Sequence, residues 1–308
     1  MIIRDTPHSF RLFFILRGSV LPLIYGKIIF ITLLGVAVAI AQHFFPNVFP
    51  NFTLAPVALF GVALSLFLGF RNNASYDRWW EARKHWGHLI VASRSLSRQL
   101  VTYLDSTDDA DVEAQKYAIN LTIAFSHALR HQLRESDPWG DIKKYVTQDD
   151  MPFLQQANSL PDAILRLIGQ KLAECQRKKR ISDILLVSLN RQITAMADVQ
   201  ASCERIHNTP LPFAYMLLVQ RTAYLYCFIL PFGIVASQGL VTPLFSAIIA
   251  YTFFGLDALS EELAEPFGLS ANHLPLHAIS RTIEINLLDI LGEKPLPEPI
   301  KAQDHRLV

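Results

Sequence analysis

Between Thr222 and Leu256 the chain runs for 35 residues without one Asp, Glu, Lys or Arg. A helix crosses a bilayer core of ~30 Å with about 20 apolar residues, so this run can hold two crossings. Ser237, Gln238, Gly239 and Pro243 mark a turn inside it. Two further uncharged runs stand near the beginning, Ile28 to Phe45 and Leu54 to Phe70. Pro46, Asn47, Pro50 and Asn51 separate them as turn residues. The pattern predicts two helical hairpins, at about 28–70 and 211–257, and therefore four crossings.

The distribution of positive charge agrees with that count. Of the 28 Lys and Arg, four lie in residues 1–27, twenty in 71–221 and four in 257–308. Both hairpin loops hold none, so the positive-inside rule places the termini and the middle region in the cytoplasm. That predicts a multi-pass protein of the cell inner membrane with cytosolic parts at about 71–210 and 258–308. A cleaved secretory leader is the competing reading of the first run, because Ala39-Ile40-Ala41 has the cleavage shape. Against it, 27 residues precede that run, including Pro7, Pro22, Arg4, Arg11 and Arg17.

Composition excludes other classes. Charged residues are 18% of the chain and hydrophobic ones 51%, the reverse of a disordered solvating protein. A net charge of +1 gives no basic field for nucleic acid. The three cysteines, Cys175, Cys203 and Cys227, form neither a disulfide framework nor a metal-ligand pair.

The polar middle reads as helical. Tyr117, Leu121, Ala124, Phe125 and Ala128 recur at three and four, as do Leu165, Ile168 and Leu172. Ser159 to Asp162 opens the second of these helices, and Asp183 through Cys203 reads as another. Thr147–Asp150 and Asn208–Pro210 read as loops.

Two patterns overlap on the second apolar run. Gly61, Ser65 and Gly69 repeat every four residues, the small-residue spacing that lets helices approach closely. Val62, Leu66 and Phe70 form a parallel stripe about 100° away. That stripe has two readings: a lipid-facing surface, or part of a hydrophobic constriction, repeated by symmetry, that gates a pore by dewetting. Arg71, Arg78, Trp79 and Trp80 follow at once, the mixture that settles at a membrane–water boundary.

These residues carry a resemblance. Leu68-Gly69-Phe70 followed by Arg78-Trp79-Trp80-Glu81 resembles the second-helix signature of the bestrophin family. Glu261-Glu262-Leu263-Ala264-Glu265-Pro266-Phe267-Gly268 resembles the motif after its last membrane helix. Leu274-Pro275-Leu276, Thr282-Ile283-Glu284 and Leu287-Leu288 are most similar to the bacterial branch. The resemblance implies an all-α homopentameric channel with one central pore, passing small monovalent ions through the bilayer. It implies a neck at Val62, Leu66 and Phe70 and a cytosolic aperture at Ile181, although Arg177 to Arg180 also reads as a solvated basic face. Animal and plant relatives imply anions such as chloride. Asp77, Glu81 and Asp183, beside Arg71 and Arg180, leave a cation-selective channel of the same architecture as the alternative.

The resemblance has one departure. Animal members follow Pro-Phe-Gly with acidic residues that clasp Ca²⁺, whereas this chain continues Leu269-Ser270-Ala271-Asn272-His273. Ca²⁺ takes six to eight oxygens, largely from carboxylates, so no clasp and no other cofactor is expected. His127 with His131, and His85 with His88, have helical spacing but lack the Glu of a zinc motif. A membrane-anchored metal-dependent enzyme using them, or the Glu261 and Glu262 end, is the reading from another class. No nucleophile or phosphate-loop motif supports an enzyme.

Overall fold

The computed structural model describes residues 1–4, 15–16, 18–46 and 54–308. Of the first expected turn only Pro46 falls within them; Asn47, Pro50 and Asn51 lie outside, as do Pro7, Arg11 and Arg17. The described residues are helical, with no strand beyond isolated bridges such as Ile2 with Arg306. The helices are α1 (Leu21–Phe44), α2 (Leu54–Tyr103), α3 (Asp109–Leu133), α4 (Trp139–Ile142) and α5 (Met151–Gln155), then α6 (Leu160–Arg177) and α7 (Asp183–Asn208). After these come α8 (Phe213–Gln238), α9 (Thr242–Ala264) and α10 (Leu276–Ile290).

The chain divides into two compact units. An apolar unit holds α1, the first part of α2 up to Trp79, and Pro210–Pro266 with α8 and α9; a polar unit holds Trp80–Thr209 and Phe267–Val308. The division falls inside α2, which continues for 50 residues without a break. No proline or paired glycine stands between Phe70 and Tyr103 to end it, and Trp86, Leu89, Leu96 and Leu100 bury one face of its second half.

Among the described residues, three stretches are long and apolar enough to cross a membrane: Leu21–Phe44, Ala55–Tyr103 and Phe213–Ala264. The third contains two helices, because Gly239 takes a left-handed φ of 53° after α8 and Pro243 opens α9. Ile24, Leu64, Leu68, Ala223, Cys227, Leu230, Ala250 and Phe254 form the shared core. Lipid tails are as apolar as these side chains, so close packing holds the helices together rather than exclusion of water. Gly35 marks such a contact: a Cβ there would lie 3.0 Å from Pro243 Cα.

In the polar unit α3 is the central helix. Asp108 caps it, its Oδ1 accepting from the Ala110 N–H at 2.8 Å and the Asp111 N–H at 3.2 Å. From Leu121 to Arg130 every residue is buried, so α3 is enclosed on all sides, where the sequence periodicity saw one face. Leu165, Ile168 and Leu172 of α6 are buried as the spacing predicts.

Enclosing α3 buries its polar groups, and Glu284 of α10 answers that. Its carboxylate accepts from the Tyr145 hydroxyl at 2.5 Å and Lys144 Nζ at 2.8 Å, and lies 3.2 Å from both His127 Nε2 and Arg281 Nη1. Burial opposes ionisation of Glu284, but hydrogen bonds from His127, Lys144 and Tyr145 outweigh it and hold the carboxyl well below the usual range. A carboxylate with a depressed folded pKa stabilises the protein fully above its unfolded value of about 4.3 and loses that contribution as pH falls below it. Glu284→Gln therefore lowers stability by roughly 2–4 kcal/mol at neutral pH. Thermal melts of the detergent-purified protein from pH 7 to 3 check this: the gap between wild type and variant narrows with acid. A gap that stays constant contradicts it.

Candidate functional site

The stripe predicted on the second apolar run is exposed on the surface of the apolar unit. Val62, Leu66 and Phe70 are 61%, 60% and 63% exposed, while Leu64 and Leu68 on the opposite face of α2 are buried. The burial pattern follows the helical period: every four residues an apolar side chain faces away from the unit's own core. Eight residues separate Val62 from Phe70, about 12 Å along the axis.

The small-residue stripe beside it meets neighbours unevenly. Gly61 is buried against Tyr226 of α8, whose hydroxyl would stand 2.5 Å from a Cβ. Only a glycine admits α8 that closely, and Tyr215 reinforces the contact by donating its hydroxyl to the Phe67 carbonyl at 3.2 Å. Ser65 Oγ donates to the Gly61 carbonyl of its own helix at 2.8 Å, and Gly69 has nothing within 4 Å of a Cβ position.

Directly after Phe70 comes a feature the sequence reading missed. Arg71 and Asp257 are both almost fully buried and pair with each other, and Gln220 Nε2 donates to Asp257 Oδ2 at 3.2 Å. One cluster thus ties α2, α8 and α9 together. The signal was available: the first charged residue beyond each apolar run is Lys27, Arg71, Arg221 or Asp257, and only one of these is acidic. Arg78 adds a second tie, donating Nε to the Ala264 carbonyl at the end of α9 at 3.2 Å. The two sequence motifs that carry the resemblance meet at this hydrogen bond.

Ile181 belongs to the polar unit and differs from the neck residues, with 4% exposure in the single chain. It sits in the turn between α6 and α7, where Lys179 takes a left-handed φ of 57° and Ser182 caps α7 by accepting from the Leu185 N–H at 3.4 Å. Arg180 fastens this turn to α3 through Asp108 at 2.9 Å and Asp111 at 2.5 Å. The side-chain hydrogen bonds to Asp111 and Asp108 raise the Arg180 pKa further. The exposed apolar residues near the turn are Ile184 and Val187.

The Pro-Phe-Gly segment is closed from within. Arg134 directs its guanidinium to three carbonyls, Phe267 at 3.1 Å, Leu274 at 3.3 Å and Gly268 at 3.5 Å. Burial, and then repulsion from Arg130, lowers the Arg134 pKa to about 10, which leaves it charged at neutral pH. His273 Nδ1 accepts from the Ser270 N–H at 3.2 Å. A protein cation thus gathers carbonyl oxygens in this segment.

The histidine pairs go separate ways. His127 turns to Glu284, whereas His131 Nε2 meets Asp141 at 2.9 Å. His85 lies 3.5 Å from Glu81, with its ring edge-on to that of His88. No group of three or more His, Cys, Asp or Glu among the described residues is placed to hold a metal ion.

Comparison with known proteins gives the class and then the nearer relatives. The sequence pattern of the Bacterial/Fungal Bestrophin protein family matches residues 1–289, so the chain belongs to the bestrophin family. It is 44% identical over 297 residues to the voltage-dependent anion channel-forming protein YneE of Salmonella typhi, covering 96% of each chain. With the protein of that name from Escherichia coli K12 it shares 43% over 305 residues and 99% of each chain. A crystal structure of a bacterial bestrophin homologue from Klebsiella pneumoniae superposes with a TM-score of 0.82 at 37% identity, covering 88% of this chain and all of the other.

The buried pair can be tested in isolation from any conductance. Arg71→Met leaves Asp257 as an uncompensated buried carboxylate and costs about 3–5 kcal/mol. Removing both charges, Arg71→Met with Asp257→Leu, restores most of that loss. Thermal stability in detergent reads both, and a double variant no more stable than the single one contradicts the pairing.

Proposed function

We propose that this protein is an anion channel, a homopentamer whose subunits each cross the membrane four times and line one pore with α2. The observation that carries this reading is the exposed Val62–Leu66–Phe70 stripe on the protomer. One such stripe is lipid-facing surface, but five identical copies around an axis make three apolar rings. Rings of this kind let ions through only when water fills them, so the neck controls conduction without holding charge. The names of the enterobacterial relatives, voltage-dependent anion channel-forming proteins, support chloride-like anions as the permeant species. The same relatives and the bestrophin family membership place the chain among membrane channels rather than enzymes.

Other parts of the reading rest on the polar unit. Val91, Ile184 and Val187 are large apolar side chains left exposed there, and neighbouring copies of the chain are their proposed cover. The second constriction is assigned to Ile181, on the turn that Arg180 fastens. Because Ile181 is buried in the single chain, a ring there requires the turn to present the side chain to the pore. Both termini are assigned to the cytoplasm and the protein to the inner membrane, on the distribution of Lys and Arg. No Ca²⁺ is required, because Arg134 already occupies carbonyls of the Pro-Phe-Gly segment.

Single-channel recording in planar bilayers tests the neck. Leu66→Ala and Phe70→Ala each widen a ring and ease its wetting, so unitary current rises severalfold in both. Unchanged current in both variants contradicts a neck on this face of α2. Chelation of divalent cations on either side leaves wild-type current unaltered, and its loss on chelation contradicts the absence of a Ca²⁺ site.

A further inference from the structure

Four uncharged helical stretches fill the apolar unit: Ile28–Phe44 on α1, 54–70 on α2, Thr222–Gln238 on α8 and Thr242–Leu256 on α9. Each has 15 to 17 residues, about 25 Å of helix at most. The charges that end them, Lys27, Arg71, Arg221 and Asp257, therefore mark one boundary of the membrane. Arg71 and Asp257 cancel each other inside the protein. Lys27 and Arg221 are left, and among the described residues neither has a carboxylate partner.

These two cations stand on adjoining helices around one aromatic group. Lys27 Nζ lies over the Tyr224 ring, 4.9 Å from its centroid, and 5.8 Å from that of Phe254. The Tyr224 and Phe254 rings themselves are 4.9 Å apart. One turn before Tyr224, the exposed Arg221 borders a recess of about 480 Å³ lined also by Gln220, Tyr224 and Leu225. Gln220 gives one of its two amide N–H groups to Asp257, and the Arg221 guanidinium and the Tyr224 hydroxyl are the other side-chain donors at the recess. Leu225 supplies an apolar wall on the membrane side.

We propose that Arg221, Lys27 and Tyr224 form a binding site for an anionic phosphate group at the cytoplasmic membrane boundary, with an anionic phospholipid headgroup as its source. A guanidinium grips a phosphate through two parallel N–H bonds, and an ammonium held over aromatic faces adds a second positive charge. The recess is lined by α8 alone, with Lys27 of α1 held against its Tyr224; cations at the cytoplasmic ends of membrane helices suit anionic headgroups, and Leu225 then meets the first part of an acyl chain. A soluble phosphate would use the same cations without the apolar wall. The site rests on the four crossings proposed above, because they put these residues at headgroup level.

Native mass spectrometry of the full-length detergent-purified protein tests it, using phosphatidylglycerol, phosphatidylcholine and inorganic phosphate as separate probes. The expected result is retention of phosphatidylglycerol over phosphatidylcholine. Arg221→Gln or Lys27→Gln alone weakens retention about fivefold, and the pair roughly 25-fold, at the usual contribution of one interfacial charge. Lys301→Gln, on the exposed C-terminal segment of the polar unit, makes the same charge change and leaves retention as in wild type. Arg221→Lys keeps the charge and most of the binding, which separates loss of the site from loss of the fold. Displacement of the lipid by millimolar inorganic phosphate assigns the site to phosphate in general, and resistance to it assigns the site to the headgroup. Equal retention by wild type and the Lys27→Gln/Arg221→Gln protein overturns the proposal. A channel that conducts normally while showing no headgroup preference overturns the site and leaves the channel reading intact.

Discussion

A membrane segment tolerates a buried charge only if another charge or a strong dipole meets it, and that constraint organises the apolar unit. Arg71 and Asp257 each stand at the end of an uncharged run, one on α2 and the other on α9. Alone, either would cost several kcal/mol in a low-dielectric interior. Together they fix the rotation and depth of α2 against its neighbours, and Gln220 extends the tie to α8. Phe70 directly precedes Arg71 in α2. The direction in which the apolar stripe faces is thus set by a polar contact on another side of the same helix.

The polar unit solves the corresponding problem with hydrogen-bonded charges around a buried helix. Enclosing α3 leaves His127, Arg130 and neighbouring polar groups without water, and Glu284 and Asp141 answer them from outside the helix. Burial works against ionisation of Asp141, yet its contacts with His131 and Arg130 hold its pKa down at about 2. Arg134 and Arg180 work at the edges of the unit, one closing the segment after Pro-Phe-Gly and the other pinning the turn that carries Ile181. Arg134 acts through backbone carbonyls, whereas Arg180 acts through the side chains of two aspartates.

Much of this was legible before any coordinates. The uncharged runs, the Gly239 turn and the helices of the polar middle all follow from local rules of composition and period. So does the face shared by Val62, Leu66 and Phe70, because helical spacing alone decides which residues point the same way. Three features were not legible, for different reasons. The pairing of Arg71 with Asp257 spans 186 residues, and periodicity carries no long-range information. The continuity of α2 through Arg71–Lys84 was obscured because the change to polar residues resembles an end, although nothing there breaks a helix. The burial of Ile181 depends on how the turn between α6 and α7 is fastened, which Arg180 of the turn decides with two aspartates from outside it.

The proposed function stands or falls on anion conduction through a pore lined by the chain's own uncharged neck. The direct measurement is the reversal potential across a planar bilayer containing the purified protein, under a KCl gradient. Reversal close to the chloride equilibrium potential is expected of an anion channel. Reversal close to the potassium potential contradicts it and assigns selectivity to acidic side chains such as Asp77 and Asp183, and the absence of any current contradicts the channel itself.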